Sequence, residues 1–96
     1  MTYNVRYSAP AKTDIDIIDA YLSQYYPNTS PRFFQALDKR LSQLCNSPDM
    51  GTPFKNYRRL VVCDYLVFYQ VHEAEKTVFV SRILHGSQNI DLLIGE

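Results

Sequence analysis

The sequence predicts an α+β fold in which an N-terminal strand and an antiparallel helical hairpin pack on a twisted, mainly antiparallel four-stranded sheet, in the order β-α-α-β-β-β. Three observations predict it: a short alternating segment at the N-terminus, two segments of helical periodicity after it, and three β-rich segments in the second half. Because 96 residues supply one hydrophobic core, we expect a single domain over residues 1–96.

The first half of the chain predicts one strand and two helices. Tyr3 to Tyr7 alternates apolar and polar residues, as a strand with one buried face does. Each helix begins with a serine followed by a proline and ends at a second proline, as capping and helix-breaking preferences require. The first helix runs from Ser8-Ala9-Pro10 to Tyr26-Pro27-Asn28, and the second from Ser30-Pro31 to Asn46-Ser47-Pro48. The apolar stripes that should face the core are Ala11, Ile15, Ile18, Leu22 and Tyr25, then Phe34, Leu37, Leu41 and Leu44.

The second half predicts three strands joined by short turns. The segment from Ser47 to Pro53 consists of turn-forming residues and is expected to be a loop. The strands that follow are Tyr57–Cys63, Tyr65–Val71 and Thr77–Leu84, and Gly86 ends the last of them.

The middle one of these three strands is apolar on both faces, because Gln70 is its only polar residue. The helices can cover one face of an antiparallel sheet, so the other face also needs a cover. Either the first strand and the C-terminal residues Ile90, Leu92, Leu93 and Ile94 fold across it, or it forms a groove that a partner protein fills. We expect that a partner protein covers this second face.

Composition excludes several classes of function. The 10 basic and 10 acidic residues balance, although Arg32 to Leu60 has a local basic excess, and this balance argues against a protein that depends on phosphate contacts. The two cysteines, Cys45 and Cys63, lack metal-ligand spacing and are too few for a disulfide scaffold, so we expect reduced thiols. No apolar run is long enough for a membrane helix, and the first ten residues do not contain the apolar core expected of a signal peptide. We expect a cytoplasmic protein with no metal and no cofactor.

Four residues are candidates for chemistry: Arg58, Arg59, Arg82 and His85. Consecutive strand residues point to opposite faces, so Arg58 and Arg59 cannot serve the same surface. Arg82 interrupts the apolar set Val78, Val80 and Leu84, so it either pairs with a carboxylate (Asp64, Glu73 or another) or has a function.

His85 follows the last strand directly, so its ring either hydrogen-bonds the backbone there or acts as a general base. A metal-independent endoribonuclease would use Arg59, Arg82 and His85, with Tyr57 or Tyr65 as the acid.

The ordered set of motifs along the chain resembles the RelE/ParE superfamily of bacterial toxins, the toxin halves of type II toxin–antitoxin pairs. The ParE-like branch is favoured by the Pro-Asp-Met-Gly turn, by the Arg-Leu-Val strand start and by the Arg-Ile-Leu-His-Gly ending. The motifs that carry the resemblance are Asp14-Ile15, Ser47-Pro48-Asp49-Met50-Gly51, Tyr57-Arg58-Arg59-Leu60-Val61-Val62, Tyr65-Leu66-Val67-Phe68-Tyr69 and Ser81-Arg82-Ile83-Leu84-His85-Gly86.

The resemblance implies a cognate antitoxin as partner and DNA gyrase as the target. The RelE branch instead cleaves messenger RNA in the ribosome, and its usual excess of Lys and Arg is missing here. We therefore expect a toxin that inhibits gyrase and does not itself bind DNA sequence-specifically. The expected antitoxin contacts are Val67, Tyr69, Val78 and Val80, with the helical hairpin, and the expected target contacts are Arg58, Arg59, Arg82 and His85.

One departure from the family pattern follows the His-Gly ending. Many ParE-like chains continue with a basic pair, whereas this chain continues with Ser87-Gln88-Asn89-Ile90-Asp91. A module that still binds the antitoxin but is no longer toxic is therefore a further alternative.

Overall fold

A computed structural model describes residues 2–88 and 90–94 of the chain. The predicted order of one strand, two helices and three strands is confirmed, and two short elements are added. The elements are β1 (Asn4–Tyr7), α1 (Ala9–Tyr25), α2 (Thr29–Asn46), β2 (Thr52–Phe54), β3 (Tyr57–Val62), β4 (Tyr65–His72), β5 (Thr77–His85) and α3 (Ile90–Ile94).

The sheet has five strands in the order β1-β5-β4-β3-β2, rather than the four predicted. β1 is parallel to β5, and every other pair is antiparallel. The added strand, β2, lies in the segment expected to be a loop and pairs with the start of β3. Three residues are too few to show a period, and Pro53 is tolerated there because β2 is an edge strand.

Ser8 connects the start of α1 to the sheet. Its Oγ accepts a hydrogen bond from the Ala11 N–H at 3.0 Å, which is the expected N-cap, and its hydroxyl donates to the Ser81 carbonyl at 2.7 Å. Its own N–H donates to the Val80 carbonyl at 2.9 Å. The chain therefore passes from β1 into α1 at a point fixed to the middle of β5.

The core lies between the helical hairpin and one face of the sheet. On α1 the buried residues are Ala11, Asp14, Ile18 and Leu22. The predicted stripe was thus wrong at its last position, since Tyr25 is 59% exposed and packs against Tyr21 instead. From the sheet, the core takes Leu60, Val62, Tyr65, Val67, Tyr69, Val78, Val80 and Ile83.

A β-bulge at Ser81 changes which side chains of β5 face the helices. Tyr69 of β4 pairs with Val80 and Phe68 pairs with Arg82, so Ser81 is an extra residue without a partner. One inserted residue reverses the alternation of the strand beyond it. Ile83 therefore joins Val78 and Val80 in the core, and the predicted grouping of Leu84 with those valines was wrong.

The second face of the sheet is closed at one residue each of β4 and β5. Phe68 is 0% exposed and Leu84 is 2% exposed. The ring of Phe54, from the added strand β2, lies 5.4 Å from the ring of Phe68. The predicted open apolar face is therefore covered at these two residues, partly by β2, whereas Val61 of β3 on the same face is 55% exposed.

The C-terminal helix α3 reaches β5 through the Leu93 carbonyl, which is 3.5 Å from Arg82 Nη1. Leu92 stays 79% exposed. Asn89 and the last two residues lie outside the described part of the chain. None of the described helices combines the length and the apolar character that crossing a membrane demands.

Candidate functional site: a groove beside the end of β5

A groove of about 760 Å³ opens between the helical hairpin and the ends of β4 and β5. Its residues come from α1, from the start of α2, from the β3–β4 turn and from the end of β5. Its principal lining residues are Asp14, Tyr21, Tyr26, Tyr65, Arg82 and His85. Arg82 and His85, two of the four predicted target contacts, therefore meet in one place.

Arg82 forms an ion pair with Asp14 at the floor of the groove. Arg82 Nε lies 2.7 Å from Asp14 Oδ2, and Arg82 Nη2 lies 3.0 Å from Oδ1. Oδ2 also accepts the Ile83 N–H at 3.0 Å. The expectation of a carboxylate partner is confirmed, but the partner is Asp14 and neither Asp64 nor Glu73.

This ion pair holds α1 against the end of β5. Asp14 is buried at 7% exposure, and its hydrogen bond raises the pKa of Arg82 above the ordinary value of a guanidinium. A bidentate pair with a third donor satisfies both oxygens of a buried carboxylate. Arg82 is thus engaged within the fold, and its positive charge is compensated there.

His85 is fixed by the two residues that follow Gly86. Its Nδ1 accepts the Ser87 N–H at 3.1 Å and lies 2.7 Å from Ser87 Oγ, and its backbone N–H donates to Gln88 Oε1 at 2.7 Å. The prediction of a ring hydrogen-bonded to the backbone is confirmed. Because Nδ1 is an acceptor, the neutral ring carries its proton on Nε2.

Arg58 lies away from the groove and holds the loop between α2 and β2. Its Nη1 donates to the Gly51 carbonyl at 2.8 Å and to the Asp49 carbonyl at 3.2 Å. The hydroxyl of Tyr69 supports the same loop, since it accepts the Gly51 N–H at 2.9 Å and donates to the Pro48 carbonyl at 2.8 Å. Side chains of β3 and β4 therefore hold the Pro-Asp-Met-Gly loop against the sheet by hydrogen bonds.

Arg59 lies beside β2, at the edge of the sheet farthest from β1. Its guanidinium carbon is 5.6 Å from the centre of the Phe54 ring. Its Nε is buried, and within the described structure it has no hydrogen-bond partner. Arg58 and Arg59 thus lie on the β2 side, whereas Arg82 and His85 lie at β5, so the predicted target contacts form two separate pairs.

The predicted antitoxin contacts lie inside the protein. Val67, Tyr69, Val78 and Val80 are each 0% exposed, below the helices. Their side chains are unavailable to any partner of the folded chain, so this prediction was wrong. Three exposed apolar residues of α1 and the position just after it line the groove: Ile17, Tyr21 and Tyr26.

Asp14 was not among the candidate site residues that the sequence indicated. The signal was available, because Asp14 is three residues after Ala11 and four before Ile18, on the buried stripe of α1. An acid on that stripe indicates a buried partner. In the described part of the chain, no group of three His, Cys, Asp or Glu side chains is placed to hold a metal ion.

Comparison with known proteins gives the family. Residues 5–90 match the family model described as ParE toxin of type II toxin–antitoxin system, parDE. The chain therefore belongs to the ParE toxin family, and it is the toxin of a type II toxin–antitoxin system. A comparison with curated proteins gives no significant match.

Solved structures of the RelE/ParE superfamily share the fold. The chromosomal ParDE system of P. aeruginosa aligns with a TM-score of 0.70 at 15% identity, over 88% of this chain and 96% of that one. The RelBE2 toxin–antitoxin complex of Mycobacterium tuberculosis aligns with a TM-score of 0.65 at 18% identity, over 88% and 99%. The isolated RelE toxin of E. coli aligns with a TM-score of 0.63 at 14% identity, over 96% and 93%.

Proposed function

We propose that this toxin inhibits DNA gyrase and that a cognate antitoxin neutralises it. The observation that carries the proposal is the match to the ParE toxin family over residues 5–90. The antitoxin is supported by the similarity to chains from the ParDE and RelBE systems. The balance of 10 basic and 10 acidic residues agrees with a protein target better than with RNA.

The positions of the cationic residues also favour gyrase over ribonuclease activity. Cleavage of RNA without a metal needs free positive charge at the scissile phosphate and a positioned base. Asp14 compensates Arg82, the only Arg or Lys among the residues that line the groove in the described structure. Arg59, on β3, lies over Phe54, and β4 separates β3 from β5. Arg59 therefore does not add its charge to the groove.

We place the target contact at His85 and the exposed residues Gly86 to Gln88. This segment projects beyond the last strand, and four hydrogen bonds between His85 and its neighbours Ser87 and Gln88 hold its shape. A rigid, exposed segment loses little conformational entropy when it binds. Arg82, paired with Asp14 at the groove floor, lies three residues before His85 on the same strand.

A supercoiling assay tests the proposal. Purified toxin, titrated into gyrase with relaxed plasmid and ATP, should reduce the supercoiled product. His85→Ala should weaken inhibition, whereas His72→Ala should not, because His72 is the last residue of β4, at the opposite end of that strand from the groove. Full supercoiling at a large excess of folded toxin would remove the proposal.

Two readouts from growing cells separate the alternatives. A gyrase inhibitor should stop growth and induce the DNA-damage response while messenger RNA stays intact. RNA cut at defined codon positions, with the cuts lost in His85→Ala, would indicate a ribonuclease instead. Normal growth with an antitoxin complex that can still be isolated would indicate a binding module that has lost toxicity.

A further inference from the structure

Three tyrosines form the walls of the groove. Tyr21 and Tyr26 are 47% and 52% exposed with ring centres 6.0 Å apart, and Tyr65 lies deeper at 9% exposure. The neighbouring Tyr26 raises the pKa of Tyr21, and burial raises the pKa of Tyr65. The groove therefore presents aromatic rings and tyrosine hydroxyls to its occupant.

The charge of the groove is negative. Arg82 and Asp14 compensate each other at the floor. The carboxylate of Asp64, in the exposed β3–β4 turn, is the remaining charged group among the described lining residues. An anionic occupant would meet this carboxylate and no free cation, whereas a cationic occupant would be attracted.

We propose that the groove binds an arginine side chain of a partner protein. A planar guanidinium stacks on tyrosine faces and donates to hydroxyl and carboxylate oxygens at the same time. Arginine and tyrosine are the residues that most often dominate the energy of such contacts. Ile17, 62% exposed beside the groove on α1, provides apolar surface for the residues that flank the arginine.

The identity of the partner as the antitoxin rests on the proposed function, but the recognition of arginine does not. The specificity is for arginine over lysine, because an ammonium group cannot stack as a plane. A groove that binds nucleic acid would need uncompensated positive charge, so a preference for arginine also argues against nucleic acid as the occupant.

The test uses N-acetyl-L-arginine amide as the probe, titrated into the isotope-labelled full chain and followed by NMR. Saturable shifts are expected at the Tyr21, Tyr26 and Tyr65 rings. N-acetyl-L-citrulline amide, which has nearly the same shape without the charge, should bind more weakly. Asp64→Asn should weaken arginine binding roughly threefold, as loss of an exposed ion pair does, while the exposed Asp49→Asn outside the groove should leave it unchanged.

Tyr21→Leu should also weaken binding, whereas Tyr25→Leu should not, because Tyr25 is on the same helix but does not line the groove. Equal affinity for arginine and citrulline amides, shifts elsewhere on the chain, or full binding by Asp64→Asn would overturn the inference. Because neither gyrase nor antitoxin is present, a toxin that fails to inhibit gyrase can still pass this test.

Discussion

Replacement of Asp14 by alanine tests whether the ion pair below the groove stabilises the fold. The variant loses hydrogen bonds to Arg82 Nε, Arg82 Nη2 and the Ile83 N–H. The buried Ile83 N–H then has no acceptor, which costs about 1–3 kcal/mol. Arg82 also loses its counter-ion, a loss that costs about 3–5 kcal/mol when the remaining charge is fully buried.

The expected total lies below the sum of those two costs. The side chain of Arg82 is 26% exposed, so water and the Leu93 carbonyl recover part of its hydrogen bonding. We expect Asp14→Ala to lower the free energy of unfolding by about 3 kcal/mol, a large share of the roughly 5–15 kcal/mol that stabilises a typical domain.

Urea denaturation followed by circular dichroism measures this loss. Asp16→Ala is the matched control, since Asp16 is an exposed acid on the same helix and should change stability by less than about 0.5 kcal/mol. A double-mutant cycle with Arg82→Ala should give a coupling energy of about 1.5 kcal/mol. Equal losses in Asp14→Ala and Asp16→Ala, or a coupling energy near zero, would refute this account of the groove floor.

Two further variants test the contacts of the loop and its supporting tyrosine. Gly51→Ala should lower the free energy of unfolding by about 2 kcal/mol, because the new Cβ would lie 2.6 Å from the Tyr69 hydroxyl. Gly86→Ala is the control and should be tolerated, because its Cβ meets only the Asp64 carbonyl at 3.5 Å. Equal urea midpoints for the two variants would contradict this. Burial raises the pKa of Tyr69 above its ordinary 10.0, so the unfolded chain releases this proton first and stability should fall as the pH rises above 10.0. Tyr69→Phe should remove up to about 1.4 kcal/mol per pH unit of that slope, and an unchanged slope in urea titrations at alkaline pH would disprove it.

Features with a local physical cause could be predicted from the sequence. Ser8 followed by Pro10 marks the start of α1, because capping and the fixed φ of proline act within one turn. The alternation of Tyr3 to Tyr7 gives β1 within one residue. The hydrogen-bonded ring of His85 follows from its position at the end of a strand, where Ser87 and Gln88 are close in sequence.

Features that depend on long-range pairing could not be predicted. Asp14 and Arg82 are 68 residues apart, and each alone is compatible with an exposed helix or strand position. The short β2 exists because β3 offers it a partner. The bulge at Ser81 leaves no pattern in the sequence, yet it decides that Ile83 rather than Leu84 faces the helices.

The end of the β1–β5 pairing explains why the groove forms where it does. β1 pairs with β5 only as far as Val80, so the backbone of β5 beyond that point has no neighbouring strand on this side. Unpaired backbone donors at a sheet edge need other acceptors. Asp14 Oδ2 accepts the Ile83 N–H, and Gln88 Oε1 accepts the His85 N–H.

Side chains therefore replace the missing strand along this edge of β5. Because they take less space than a strand, the helical hairpin and the end of β5 leave the groove open between them. The carboxylate of Asp14 accepts the edge donor Ile83 N–H and also compensates the charge of Arg82. Asp64 therefore determines the sign of the net charge in the groove. Loss of Asp14 should consequently disturb both the stability of the fold and the selectivity of the groove for a cationic side chain.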